Sequence, residues 1–178
     1  MTELLFVRHG ETDWNRDGRL QGHADPPLND AGREQARELA RRLAGVDLDA
    51  VYTSDLRRAA ETAEIVTEGR DLRPTPDPGL REIDVGSWSG LTREEIEARY
   101  PGMHEHDGES RKAHLDRVLH TVERIAAEHR GERILIVSHG GSLRALHRHA
   151  LEVDSVPRLE NCAVYKLAFR DGVLSRID

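Results

Sequence analysis

"LLFVRHG" at residues 4–10 and "ILIVSHGG" at 134–141 are the stretches on which the reading of this chain turns. Each starts with four consecutive apolar residues, a run that suits a strand buried on both faces. Each then passes through one polar residue, Arg8 or Ser138, to a histidine, His9 or His139, followed at once by glycine. A buried strand does not end on a cation and an imidazole without a partner for them. In a parallel sheet the carboxyl ends of the strands share one rim, the place where open α/β sheets bind ligands, so the two histidines are expected to face one site. The glycine behind each lets the backbone approach a ligand and present N–H groups where a helix starts. Imidazoles, arginine and free amides together suit a phosphoryl group.

Working outward, "LNDAGREQARELARRLAG" (28–45) places Ala36, Leu39, Ala40 and Leu43 at helical spacing, with Asn29 as N-cap and Gly45 as stop. "AVYTS" (50–54) reads as a strand and Leu56–Val66 as the next helix. "RPTPDPG" (73–79) reads as loop. "LTREEIEARY" (91–100) carries a capping box, Thr92 with Glu95. An apolar stripe from Leu115 to Ile125 marks a long helix before the second histidine strand, and a further helix runs from Gly140 to about Ala150. Two alternating runs joined by Asp171-Gly172 close the sequence as a hairpin. The fold class expected is α/β in three layers: a mainly parallel sheet with helices on both faces and a C-terminal antiparallel hairpin. Its 178 residues fit one domain, 1–178.

A formal charge of −7 argues against a broad nucleic-acid or anionic-membrane surface, so any anion site is local. The run before Arg8 is too short for a signal segment, and no stretch approaches the roughly 20 apolar residues of a membrane span. A cytoplasmic chain is expected. The single cysteine, Cys162, has no disulfide partner within the chain.

The motifs resemble those of the histidine phosphatase superfamily, in its phosphoglycerate-mutase-like branch. "RHGETDWN" (8–15) is similar to the family signature, "SDLRRAAETA" (54–63) to its second arginine motif, "LREIDVGSWSG" (80–90) to its acid motif, and "SHGG" (138–141) to its second histidine motif. They stand in family order and span most of the chain.

The resemblance implies His9 as nucleophile, forming a phosphohistidine by in-line attack on phosphorus. Arg8, Arg58 and His139 would hold the phosphoryl oxygens, with Asn15 and the Gly140 N–H as further donors. Arginine suits this because its planar fork donates two bonds to one phosphate. Family spacing selects Arg58 over Arg57, which is then expected in solvent. Glu82 would protonate the leaving oxygen and then take a proton from the water that cleaves phosphohistidine. Gln21, Gly22 and His23 are expected to contact substrate. No metal and no cofactor are expected, the partner being a small phosphate ester, and a homodimer is one of the assemblies open to it.

Other readings are weaker. "DLDAV" (47–51) matches an aspartyl-phosphatase pattern but follows a helix instead of a strand, so it reads as a turn. No Gly-rich nucleotide loop exists, and Ala168 stands where a cysteine phosphatase would need arginine six residues after Cys162. His104, His106 and His114 lack spaced ligand partners and read as a polar stretch at the substrate entrance. His147 and His149 read as surface residues. Between hydrolysis, a cofactor-dependent phosphoglycerate mutase and an inactive binding scaffold, the short acidic segment 101–109 and the complete residue set favour hydrolysis.

Overall fold

The computed structural model describes residues 1–151 and 159–177. The two histidine strands are β1 (Thr2–Arg8) and β4 (Arg133–Ser138), and they lie side by side in parallel, with Leu4 opposite Ile134 and Arg8 opposite Ser138. β2 (Ala50–Thr53) flanks β4 on its other edge in parallel. β3 (Thr75–Pro76), β5 (Val164–Arg170) and β6 (Val173–Arg176) complete one sheet of order β3-β2-β4-β1-β5-β6, the last two strands antiparallel.

The apolar runs are continuous because both faces of the sheet are covered. Leu4, Phe6, Ile134 and Ile136 point to one face, where Val118, Val122 and Ile125 of α5 (Arg111–Glu128) and Leu143 and Leu146 of α6 (Gly140–Leu151) pack on them. Leu5, Val7, Leu135 and Val137 point to the other, against Ala36 and Leu39 of α2 (Asp30–Leu43) and Ala59, Ala63 and Val66 of α3 (Arg57–Thr67). Each large aliphatic side chain withdrawn in these layers contributes about 1.5–3 kcal/mol. The result is the three-layer α/β arrangement expected.

Local signals worked as read in most places. Asn29 caps α2 by accepting the Gly32 N–H at 2.8 Å. Thr92 and Glu95 form the capping box of α4 (Arg93–Arg99). Asp171 and Gly172 take φ of 53° and 84°, the left-handed pair that a two-residue hairpin turn requires. "DLDAV" is a helix-to-strand connection whose Asp49 carboxylate accepts the Arg133 N–H.

Three readings are corrected. "RPTPDPG" is not all loop: Thr75 and Pro76 pair with Tyr52 and Thr53 as an edge strand, where proline costs no ladder bond. His147 is buried against the Tyr165 ring, centroids 5.4 Å apart, because its face of α6 turns toward β5. His114 is not part of an entrance loop but a buried residue of α5. A short helix the periodicity did not reveal, α1 (Asp13–Arg16), is held by a capping box of Thr12 and Asn15.

Candidate active site

The pairing of Arg8 with Ser138 makes β1 and β4 end level, so His9 and His139 leave the sheet together. Their rings meet edge to face with centroids 5.2 Å apart. Both are almost wholly buried.

His9 has its tautomer set by its neighbour. Nδ1 lies 2.7 Å from the Gly10 carbonyl, which can only accept, so Nδ1 carries the proton and Nε2 keeps its lone pair. Burial, and then the charges of Arg58 and Arg8, hold the imidazole well below its ordinary pKa. A neutral ring with a free Nε2 lone pair is a nucleophile.

His139 shows the complementary arrangement. Its Nε2 lies 2.8 Å from Ser54 Oγ, which itself accepts the Leu56 N–H at 3.3 Å. If the Ser54 hydroxyl donates to Nε2, a neutral ring carries its proton on Nδ1, a buried nitrogen with no hydrogen-bond partner among the described residues. Burial first, then Arg58 and His9, depress this imidazole as well.

Arg58, in the first turn of α3, is fully buried. Nη1 donates to the Ala24 carbonyl at 2.7 Å and Nη2 to the Gly22 carbonyl at 2.9 Å, while Nε is buried without a partner among the described residues. Burial brings it down to about 10, against the opposing pull of Glu82 and Asp25, so it remains a cation at neutral pH. Arg57 is exposed, as expected. Arg8 leaves the end of β1 and donates from Nη1 to the Leu159 carbonyl at 2.7 Å. Gly140 opens α6, where its N–H has no acceptor within the helix. The Oδ1 of Asn15 accepts from the Thr12 N–H at 3.3 Å in the cap of α1, which leaves its amide hydrogens as the group able to serve an anion.

Glu82 comes from the loop between β3 and α4. Its Oε2 accepts the Gly141 N–H at 2.8 Å and its Oε1 the Ile83 N–H at 3.0 Å, with the side chain 17% exposed. Gly141 must be glycine for this approach, since a Cβ there would lie 2.1 Å from Oε1. Gln21, Gly22 and His23 hold the frame of the site. Gln21 accepts from the Thr12 hydroxyl at 2.9 Å, Gly22 carries the carbonyl bound by Arg58, and the Nε2–H of His23 donates to the Glu82 carbonyl at 2.9 Å.

Several supporting residues were not visible as such in the sequence. Arg117 of α5 donates to the carbonyls of Gly79, Arg81 and Glu82 and grips Glu109 through Nε and Nη2 at 2.9 and 2.7 Å. Ser142 donates to the Arg81 carbonyl at 3.2 Å, so the Nε2–H of His114 donates to Ser142 Oγ at 3.0 Å, with Glu82 Oε1 3.9 Å away. Ser54 entered only as the start of a motif, yet it orients His139. Their one local signal is polarity at an otherwise helical or strand-end position, which many surface residues share.

Among the described residues, no three or more His, Cys, Asp or Glu side chains are grouped to hold a metal, and no helix is long and apolar enough to cross a membrane. Two histidines, two arginines and a carboxylate thus converge on one sheet rim. The sequence profile of the histidine phosphatase superfamily (branch 1) matches residues 4–175, and the chain belongs to that family. It is 37% identical over 187 residues to a metal-independent phosphoserine phosphatase of Arabidopsis thaliana, covering 96% of this chain and 78% of that protein. It is also 36% identical to a 2,3-bisphosphoglycerate-dependent phosphoglycerate mutase of Methylobacterium, covering 94% and 90%. Among solved structures it is similar to Bacillus stearothermophilus YhfR, with TM-score 0.92 and 36% identity over 99% of this chain and 95% of that one.

Proposed function

We propose that the chain hydrolyses phosphomonoesters of small metabolites without a metal, through a phosphohistidine on His9. The observation that carries this reading is the edge-to-face pairing of two buried histidines, His9 held through Nδ1 by the Gly10 carbonyl and His139 through Nε2 by Ser54, which leaves His9 Nε2 and His139 Nδ1 unengaged among the described residues. His9 Nε2 offers a lone pair, and His139 Nδ1 offers a proton 5.2 Å away between ring centres. An attacking nitrogen and an oxyanion donor at that separation can bracket one phosphorus.

In this reading Nε2 of His9 attacks phosphorus in line with the leaving oxygen. Arg8, Arg58, His139 Nδ1–H and the Gly140 N–H take up the charge on the equatorial oxygens, the Asn15 amide assisting. Protonated Glu82 delivers its proton to the leaving oxygen as the P–O bond breaks. The carboxylate so formed then removes a proton from water attacking the phosphohistidine. The P–N bond breaks, His9 returns neutral, and phosphate departs.

The test is release of phosphate from p-nitrophenyl phosphate by the wild type and His9→Ala, with and without EDTA. Turnover that survives EDTA and disappears in the variant is the expected result. Loss of wild-type turnover in EDTA would remove the metal-independent mechanism. Transfer of the phosphoryl group to an added phosphoglycerate, with no net phosphate release, would turn the reading to a mutase.

A further inference from the structure

Next to Glu82, lined by its chain neighbour Ile83, lies a cleft of about 990 Å³. Its inner wall includes Gly141, bonded to Glu82, and His114, 3.9 Å from it. A leaving group that extends past Glu82 on this side enters the cleft. Arg93 of α4, Arg111 at the start of α5, and Arg144 and Arg148 of α6 all line it. Among the described residues no carboxylate lines it, and none of the four arginines makes an ion pair, although Arg93 acts on the adjacent Glu94 across a longer distance. The protein as a whole carries a charge of −7, so four cations in one hollow stand against the general surface.

Arg144 and Arg148 are four residues apart on one helix face, where like charges repel and lower stability. Bringing them to the cleft that Arg93 and Arg111 also line adds further like charge, which a bound anion would offset. One carboxylate would leave most of this charge unmatched. A phosphate dianion, with three terminal oxygens, suits several guanidinium forks. Along α6, Arg144 and Arg148 stand about 4.5 and 10.5 Å from Gly141 at the usual rise per residue. The volume lies at the upper end of the roughly 300–1,000 Å³ range of ligand sites, more than a three-carbon leaving group fills.

We propose that this cleft is a subsite for a second phosphate, carried several bonds beyond the scissile ester, and that the natural substrate is a long bisphosphorylated metabolite. The proposal rests on the phosphatase reading for which end of the substrate is cleaved, and its test is made separable from that reading.

The test is calorimetric titration of the His9→Ala protein, which cannot turn over, with α,ω-alkanediol bisphosphates of two to eight carbons. The matching alkyl monophosphates and ω-carboxyalkyl phosphates serve as comparison. The expected result is that bisphosphates with spacers of four or more carbons bind at least about tenfold more tightly than the monophosphates and more tightly than the carboxylates. Arg144→Gln combined with Arg148→Gln, both at solvent-accessible positions, should reduce that ratio to near one. Because the readout is a ratio within one protein, a general loss of binding cancels. Equal affinities, an optimum at two or three carbons, equal binding of the carboxylates, or a preference that survives the double substitution would each overturn the proposal. Failure of wild-type p-nitrophenyl phosphate turnover with the preference intact would instead remove the phosphatase reading and leave the subsite standing.

Discussion

The backbone N–H of Gly141 donates to Glu82 Oε2 at 2.8 Å, and a side-chain carbon on Gly141 would fall 2.1 Å from the other carboxylate oxygen. The first turn of α6 thus sets the position of a residue 59 positions earlier in the chain. Gly141→Ala should displace Glu82 and leave the fold intact. General acid catalysis contributes about 10²- to 10⁴-fold, and it matters most for a poor leaving group. The variant should therefore lose kcat on an alkyl phosphate by about 100-fold or more and on p-nitrophenyl phosphate by much less, as should Glu82→Gln. Equal losses on both esters would show that Glu82 is not the proton donor.

Arg58 and Arg57 are adjacent, yet one is fully buried and the other exposed. Arg58→Ala should lower kcat/KM by about 10³-fold or more, because the phosphoryl oxygens lose a fixed cation. It should also destabilise the fold by about 1–3 kcal/mol through the stranded carbonyls of Gly22 and Ala24. Arg57→Ala should stay within about threefold of wild type. Steady-state kinetics with urea unfolding of the two variants checks both statements.

Ser54 Oγ lies 2.8 Å from His139 Nε2, and by donating there it would hold the tautomer that presents Nδ1–H. Ser54→Ala removes that bond, worth about 1–1.5 kcal/mol, so kcat should fall about tenfold. Nitrogen-15 NMR of the imidazole resolves the cause, since the proton on Nδ1 should redistribute toward Nε2. A drop in kcat with the tautomer unchanged would refute this role.

Burial lowers the pKa of His9, His139, His114 and His147. A histidine depressed in the folded state binds fewer protons there than in the unfolded chain, whose imidazoles titrate near about 6.5. Stability from this source is full above that pH and is lost as pH falls through the folded values, because the unfolded state then takes up protons first. Thermal midpoints should be level between pH 8 and 7 and decline below about 6.5. A flat profile down to pH 5 would contradict the burial of these rings in neutral form.

Much of the layered fold was legible because its signals are local. Unbroken apolar runs at 4–7 and 134–137 mark strands covered on both faces, and Asn29, Thr92 and Asp171-Gly172 each satisfy a backbone requirement within a few residues. The errors fell where a distant element decides. Thr75 and Pro76 become a strand only because β2 presents an open edge, and His147 is inside only because β5 lies across its face of α6. Gln21, Gly22 and His23 were expected to contact substrate; in the fold they bond to Thr12, Arg58 and Glu82, partners too distant in sequence for local patterns to reveal.

The sequence by itself determined that two histidine-glycine steps close parallel strands, and its motifs named His9, Arg58, Glu82 and His139, since each stands at a strand end or beside a recognisable local pattern. Only the tertiary structure decided which nitrogen of each histidine faces a partner, that Arg117 and His114 brace the Glu82 loop, and that four arginines from three helices line one cleft. Those facts depend on how α4, α5 and α6 pack around the sheet rim. Helical periodicity tells which residues share one face of one helix and carries nothing about which faces of different helices will meet.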